Sequence, residues 1–141
     1  MDDTDRRLLG LLRDNARQAT ALLARKLGIA RATVQSRIAR LEEQGVIRGY
    51  TVRIADDYER RRIRAHVMLN VVPKQAAATE SALRRMTEVN GLYAISGVYD
   101  LIAVVTADST ERMNELLDRI GALPGVERTM SSIILAAKVE R

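Results

Sequence analysis

The sequence contains no cysteine, no tryptophan and no phenylalanine, and only 3% of its 141 residues are aromatic. The absence of cysteine excludes disulfide bonds and thiolate metal sites. A single histidine, His66, cannot build a multi-histidine metal site either. We therefore expect an aliphatic core and neither a metal nor another cofactor.

Signals for membranes and secretion are also missing. No apolar run approaches the roughly 18 residues that a membrane-spanning helix needs. The N-terminal sequence MDDTDRR is polar and acidic, which is not typical of a secretion signal. The sequence therefore predicts a cytoplasmic protein with no membrane partner.

Catalytic motifs are absent as well. There is no glycine-rich phosphate loop and no serine flanked as in a nucleophile elbow. His66 falls in a predicted strand and is interpreted as a structural side chain, and Asp56 and Asp57 fall in a charged stretch where both are expected to be solvated. The sequence predicts a protein that is not an enzyme.

Charge is unevenly distributed along the chain, whose net charge is +5. Residues 1–62 carry 14 basic and 9 acidic side chains, whereas residues 63–141 carry 9 of each. The excess is densest in residues 17–53, with 8 basic and 2 acidic side chains. This pattern favours a polyanionic partner for the first part of the chain only, the alternative being an ordinary solvated surface.

Residues 20–47 are typical of a helix-turn-helix, two short helices joined by a tight turn. Apolar periodicity and capping residues predict three helices, with Asp2 or Asp3 capping the first, Thr20 capping the second and Gly45 ending the third. Their expected bounds are 3–13, 20–28 and 31–44. Alternating apolar residues predict a strand at 46–54, and the polar residues 55–62 predict a linker.

The remainder of the chain contains an internal repeat with an offset of 34 residues, in which LRRMTEVNGL at 83–92 aligns with LDRIGALPGV at 117–126. Each unit reads as a strand, a helix, a glycine and a second strand. Two units in succession give a βαββαβ arrangement of ferredoxin-like type. The expected strands are 65–72, 91–97, 100–107 and 129–139, and the expected helices are 75–88 and 109–121.

The third helix has one apolar and one polar face. Val34, Ile38 and Leu41 are expected to pack inward against the second helix, where Ala24 must be small. The outward side chains suit the major groove of DNA, because arginine, glutamine, serine and threonine bind base edges and phosphates. We expect contacts near base edges from Thr33, Gln35 and Ser36, and contacts closer to phosphates from Arg31, Arg37 and Arg40. The alternative is a merely solvated helix face.

Several stretches together resemble the Lrp/AsnC, or feast/famine, regulators along essentially the whole chain. They are MDDTDRRLLGLLRDNAR, LLARKLGIARATVQSRIARLEEQGVIRGY, GVYDLIAVV and LPGVERTMSSIIL. The resemblance implies an α+β fold, with an N-terminal winged helix-turn-helix domain followed by a βαββαβ ferredoxin-like ligand-binding and oligomerisation domain. The corresponding bounds are 1–54, 55–62 for the linker and 63–141.

The resemblance also implies a transcriptional regulator that binds double-stranded DNA and forms homodimers through its sheets, with dimers assembling into octamers or other rings. A small effector, commonly an amino acid, is expected between dimers near the Gly-x-Tyr-Asp loop. Two residue patterns depart from the family: Ala30 replaces the usual serine before the third helix, and three arginines replace the glycine near the end of the linker.

The loop formed by Gly97, Val98, Tyr99 and Asp100 joins two predicted strands, although Val-Tyr is a poor turn pair. Asp100 can bind an effector ammonium, and backbone N–H groups near Gly97 can bind a carboxylate. Hydroxyl groups of the last strand can add contacts, from the same or a neighbouring chain: Thr129, Ser131 and Ser132. The alternative is that Asp100 caps a tight turn and Tyr99 packs in an oligomer interface.

Two other functions remain open from the sequence. Basic dimers in a ring can wrap DNA with little sequence preference, as an architectural protein without an effector does. A free-standing amino-acid sensor is also possible, but it leaves the basic first part of the chain without a purpose.

Overall fold

The computed structural model describes residues 1–55, 58 and 61–140, and its contacts divide the chain into two units, Met1–Arg53 and Ile54–Arg141. Each unit is described by itself. The predicted linker, residues 55–62, includes residues 56, 57, 59 and 60, which lie outside the described residues. The linker and the expected solvation of Asp56 and Asp57 therefore stay predictions.

The first unit begins with helix α1, Asp3–Asp14. Asp2 is its N-cap, and its side chain accepts a hydrogen bond from the backbone N–H of Asp5. The Asp5 carboxylate in turn accepts from the backbone N–H of Asp2 at 3.0 Å. This reciprocal capping box satisfies two amide groups that the helix itself leaves unpaired.

Helix α2 spans Thr20–Leu27 and helix α3 spans Arg31–Glu43. Thr20 is the first residue of α2 rather than its cap, because the extended residue Ala19 already accepts the first helical hydrogen bonds through its carbonyl. Both helices end at a glycine with φ of +69°, Gly28 and Gly45. This left-handed conformation lets the following amide groups turn back and bond to carbonyls of the last turn.

The strand predicted at 46–54 is not present. After α3 the N–H groups of Val46 and Ile47 both bond to the Leu41 carbonyl, so the chain leaves the helix in a turn. The apolar side chains that suggested a strand, Tyr50, Val52 and Ile54, are exposed. A strand needs a neighbouring strand for its backbone hydrogen bonds, and the described residues of this unit include none.

One aliphatic core joins the three helices of the first unit. Leu8 and Leu12 of α1 pack with the inward side chains of α2 and α3 predicted from periodicity, and Ala24 is buried where α2 crosses closely. Its buried members are Leu8, Leu12, Leu23, Ala24, Leu27, Val34 and Leu41.

The second unit follows the predicted βαββαβ order. Strand β1 is Ile63–Val71, a short 3₁₀ turn is Pro73–Gln75, helix α4 is Ala76–Arg84 and strand β2 is Val89–Ala94. The second repeat comprises strand β3 at Leu101–Ala107, helix α5 at Thr110–Gly121 and strand β4 at Val126–Ile133. The strands form one antiparallel sheet in the order β2-β3-β1-β4, which confirms the predicted fold class.

Strands β1, β2 and β4 begin two or three residues earlier than predicted, and three elements end at least three residues earlier than predicted. Helix α4 ends at Arg84 rather than residue 88, because the N–H of Met86 bonds to the nearer carbonyl of Leu83 and turns the chain towards β2. Strand β2 ends at Ala94 because the N–H of Ile95 bonds back to Asp100. Strand β4 ends at Ile133, whose partner on β1 is Ala65, and the N–H of Ile134 makes one further bond to the Arg64 carbonyl.

The sheet has two different faces. Ala65, Val67 and Leu69 of β1 alternate inward and pack under α4 and α5 with the inward side chains of β3. The opposite face carries His66 and Met68 with side chains of the neighbouring strands, and neither helix covers it. Within the described part of the chain, no helix is long and apolar enough to cross a membrane.

Gly28→Ala should destabilise the protein by about 1 kcal/mol, because alanine in the left-handed conformation is strained although no atom blocks its Cβ. Gly10→Ala is the matched control, since Gly10 lies inside α1 with open space around it. That substitution should stabilise by about 0.5–1 kcal/mol. Urea unfolding followed by circular dichroism measures both, and two shifts of the same sign would contradict the assignment.

Candidate functional site

Helix α3 presents an exposed polar face. Four of the six residues expected to contact DNA are exposed and make no ion pair among the described residues: Arg31, Thr33, Gln35 and Ser36. Arg40 is exposed as well, whereas Arg37 is half-buried. Val34 and Leu41, on the inner side, are fully buried. The core therefore fixes which face of α3 is available to a partner.

Ala30 occupies the N-cap position of α3, and no side chain caps this helix. Its backbone has the extended conformation of a cap, with φ of −71° and ψ of 151°. Serine at this position would accept a hydrogen bond and stabilise the helix by about 1 kcal/mol. The start of the outward face is therefore held by the α2–α3 turn and by packing rather than by a cap.

The other two predicted DNA contacts, Arg37 and Arg40, are bound to acidic side chains of α1. Nη1 of Arg37 lies 2.7 Å from an oxygen of Asp5 and 2.7 Å from an oxygen of Asp2. Nη2 of Arg40 lies 2.9 and 2.8 Å from the two oxygens of Asp5. The side chain of Asp5 is 1% exposed and that of Arg37 is 21% exposed. The phosphate contacts expected of both arginines stay a prediction, with these ion pairs as competitors.

These contacts change the acidity of both carboxyl groups. The pKa of Asp5 is lowered from 3.8 to about 2, because the Asp2 backbone N–H and the Arg37 guanidinium donate hydrogen bonds to the ionised carboxylate. The pKa of Asp2 is also lowered, chiefly by the hydrogen bond from Arg37. Both carboxylates are therefore ionised at neutral pH, and the four side chains form a cluster without net charge.

Sequence patterns did not predict this cluster. Asp2 or Asp3 was expected to cap α1, whereas the buried carboxylate of the cluster belongs to Asp5. The pattern Asp-x-x-Asp at residues 2–5 carried a signal for a capping box, but nothing in the sequence placed α1 beside the arginines of α3.

The predicted effector loop is tied to the end of β1. One carboxylate oxygen of Asp100, Oδ2, accepts the backbone N–H of Val71 at 3.0 Å, and the N–H of Asp100 donates to the Leu69 carbonyl at 2.9 Å. The Nδ2 group of Asn70 donates to the Val98 carbonyl at 2.9 Å. The Asp100 carboxylate thus holds the loop to β1 rather than capping a tight turn, while its second oxygen has no hydrogen bond among the described residues.

Polar groups remain available around this loop. The N–H groups of Gly97, Val98 and Tyr99 donate no hydrogen bond within the described part of the chain. Arg128 of β4 lies over the Tyr99 ring, with its guanidinium carbon 5.2 Å from the ring centroid. The loop therefore combines amide donors, a cation and a carboxylate oxygen within one end of the sheet.

The three hydroxyl residues of β4 do not converge on the loop. Thr129 pairs with Leu69 and Ser131 pairs with Val67, so both face the helix side of the sheet. Ser132 pairs with His66 and faces the opposite side. Two cavities of about 790 and 330 Å³ lie elsewhere in this unit, and no predicted effector residue lines either one. Neither of these two cavities therefore encloses the loop.

Two family models match the chain. The first, described as winged helix-turn-helix DNA-binding, covers residues 1–48, and the second, described as the Lrp/AsnC ligand binding domain, covers residues 64–141. The transcriptional regulator LysM of Sulfurisphaera tokodaii is 34% identical over 139 residues, covering 96% of this chain and 95% of LysM.

Solved structures show the same fold. AsnC of E. coli has a TM-score of 0.89 at 23% identity, with 100% of this chain and 96% of that chain covered. A Neisseria meningitidis transcriptional regulator solved in complex with L-Met has a TM-score of 0.88 at 22% identity, with coverages of 99% and 93%. These similarities span both units of the chain.

Acid should weaken the first unit through Asp5. Because the folded-state pKa of Asp5 is about 2 and its usual value is 3.8, the unfolded chain takes up the proton first as the pH falls. The stability that Asp5 contributes is therefore present above about pH 4 and lost by about pH 2. Urea unfolding of the parent chain and of Asp5→Asn should show a difference in midpoint at pH 7 that shrinks towards pH 2. A difference independent of pH would contradict this role.

Proposed function

The chain belongs to the Lrp/AsnC family of transcriptional regulators, and from this premise we propose that it regulates transcription in response to an amino acid or a similar small effector. The matching families and relatives are DNA-binding regulators rather than enzymes. The observation that carries the proposal is that the two units expose different polar surfaces. The first unit exposes a polar face of α3, and the second exposes N–H groups without a hydrogen bond, among the described residues, at one end of its sheet.

DNA contact is proposed for the outward face of α3. Arg31, Thr33, Gln35 and Ser36 are exposed on this face, and their chemistry suits base edges and phosphates in the major groove. Arg37 and Arg40 lie along the same helix and join this contact only to the extent that Asp5 and Asp2 release them.

Effector binding is proposed at the loop of residues 97–100. An amino acid carries an ammonium and a carboxylate, which match the second oxygen of Asp100 and the loop N–H groups or Arg128. The L-Met complex of the Neisseria meningitidis regulator supports an amino acid as the class of ligand. Because the loop lines neither of the two cavities described above, a second copy is proposed to complete the site, with Thr129, Ser131 or Ser132 contributed from that copy.

Homodimer formation is proposed for the open face of the sheet. This face carries a central apolar strip, Met68, Ile102, Val104 and Met130, edged by Tyr93. Tyr93 is 59% exposed and Met130 is 46% exposed, so burying this face against a second sheet would remove apolar surface from water. Dimers are proposed to assemble further into an octamer or another ring.

Arg31→Ala should weaken DNA binding and reduce the salt dependence of log affinity by about 0.9 if Arg31 contacts one phosphate. Arg119→Ala, in α5 of the other unit, removes the same charge from an exposed site and should change neither quantity. The probes are a duplex selected by this protein from a random pool and a duplex of random sequence. Equal effects of the two substitutions would count against α3 as the contact.

The same probes separate a regulator from an architectural DNA-binding protein. A regulator should prefer the selected duplex by a factor of about 10³ or more. A ratio near one would support the architectural alternative.

Thermal shift against the twenty L-amino acids tests the effector proposal. A bound effector at about 100 times its Kd should stabilise the protein by about 2.7 kcal/mol. Arg128→Gln should reduce the shift without removing the loop contacts of Asn70 and Asp100, whereas Arg84→Gln, exposed on α4, should leave it unchanged. No shift with any of the twenty would argue against an amino acid as the ligand.

A further inference from the structure

The cluster of Asp2, Asp5, Arg37 and Arg40 has a consequence for DNA binding beyond holding two helices together. We propose that Asp5, supported by Asp2, withholds Arg37 and Arg40 from DNA phosphates and so limits the affinity of this protein for DNA of random sequence. The inference rests on the proposed contact between α3 and DNA. It makes Asp5 a positioning residue that limits the strength of DNA binding without touching DNA.

Both carboxylate oxygens of Asp5 accept hydrogen bonds. Its oxygens receive hydrogen bonds from Arg37 Nη1, from Arg40 Nη2 and from the Asp2 backbone N–H, at distances between 2.7 and 3.0 Å. With a side chain only 1% exposed, the carboxylate has little contact with water. An ionised group in such a place needs its partners, because a buried charge without them is costly.

Arg37 is the more tightly held of the two arginines. Its Nη1 contacts both Asp2 and Asp5, and its Nε is buried without a hydrogen-bond partner among the described residues. A guanidinium that gives up water at Nε is positioned by its acidic partners rather than by solvation. Arg40, whose side chain is 47% exposed, is held at Nη2 and keeps its remaining surface towards solvent.

The cluster changes the charge that α3 offers to DNA. Of its three arginines, Arg31 alone has no carboxylate within ion-pair distance among the described residues, whereas Arg37 and Arg40 are neutralised. Non-specific affinity depends on the number of phosphates that cations neutralise, whereas specificity depends on base contacts. Holding back two cations therefore weakens binding to DNA of any sequence by a similar factor, because phosphate contacts carry no sequence information.

Asp5→Asn is the direct test, since asparagine keeps the shape and a capping acceptor but loses the charge that holds the arginines. We expect random-duplex affinity to rise, on the order of three- to tenfold at about 0.1 M salt per freed arginine, with a salt dependence steeper by up to about 0.9 for each. The affinity for the selected duplex should rise by a similar factor, so the ratio of selected to random affinity should change little. A structural defect alone would instead lower both affinities.

Asp3→Asn is the matched control. Asp3 lies in the same turn of α1, is exposed, and makes no ion pair within the described part of the chain. The substitution changes the net charge by the same amount, so it reports the general effect of added positive charge. Random-duplex affinity and salt dependence should change less for Asp3→Asn than for Asp5→Asn.

Asp2→Asn keeps the test decisive if Asp5→Asn fails to fold. Asparagine is as good an N-cap as aspartate. This variant removes one of the two carboxylate charges that pair with Arg37, so a smaller change in the same direction is expected. Equal behaviour of folded Asp5→Asn and Asp3→Asn, or a loss of random-duplex affinity in Asp5→Asn or Asp2→Asn, would overturn the proposal. Failure of the α3 contact itself is distinguishable, because the parent chain would then not respond to Arg31→Ala.

Discussion

The buried carboxylate of Asp5 is the interaction on which the first unit depends. It closes the capping box of α1 through the Asp2 amide and receives two arginines of α3. Removing the carboxylate leaves the charges of both arginines without their partner, which lowers the stability of the folded unit. The aliphatic core brings α1 and α3 together, and the ion pairs then fix one orientation between them. The aliphatic core and the ion pairs together determine which face of α3 is exposed, and that face is the one proposed to contact DNA.

The second unit depends on a different constraint, which is that its helices cover only one face of its sheet. Helices α4 and α5 cover the face that carries Ala65, Val67 and Leu69, while the other face and the loop of residues 97–100 keep apolar and polar groups without partners. Surfaces of this kind are suited to a second copy of the chain and to a small ligand. The helical unit thus has its core within one chain, whereas a second copy is proposed to complete the effector site.

Local signals predicted most of the fold. The bounds of α1 and α3 lie within one residue of those expected from apolar periodicity, and the repeat gave the order of strands and helices. The predictions failed where a distant partner decides the outcome. Residues 46–54 alternate like a strand but have no strand to pair with, and the bounds of β4 follow from its pairing with β1. Asp5 was missed because its arginine partners lie more than thirty positions away in the sequence.

A double-mutant cycle of Asp5→Asn and Arg37→Gln, measured by urea unfolding at pH 7 without DNA, tests whether Asp5 restrains α3 through Arg37. If the carboxylate and the guanidinium act as one unit, the loss in the double variant should be smaller than the summed single losses by about 1 kcal/mol or more. Losses that add to within about 0.3–0.5 kcal/mol would mean that the two side chains act independently. That result would contradict the claim that Asp5 positions and restrains the DNA-facing helix.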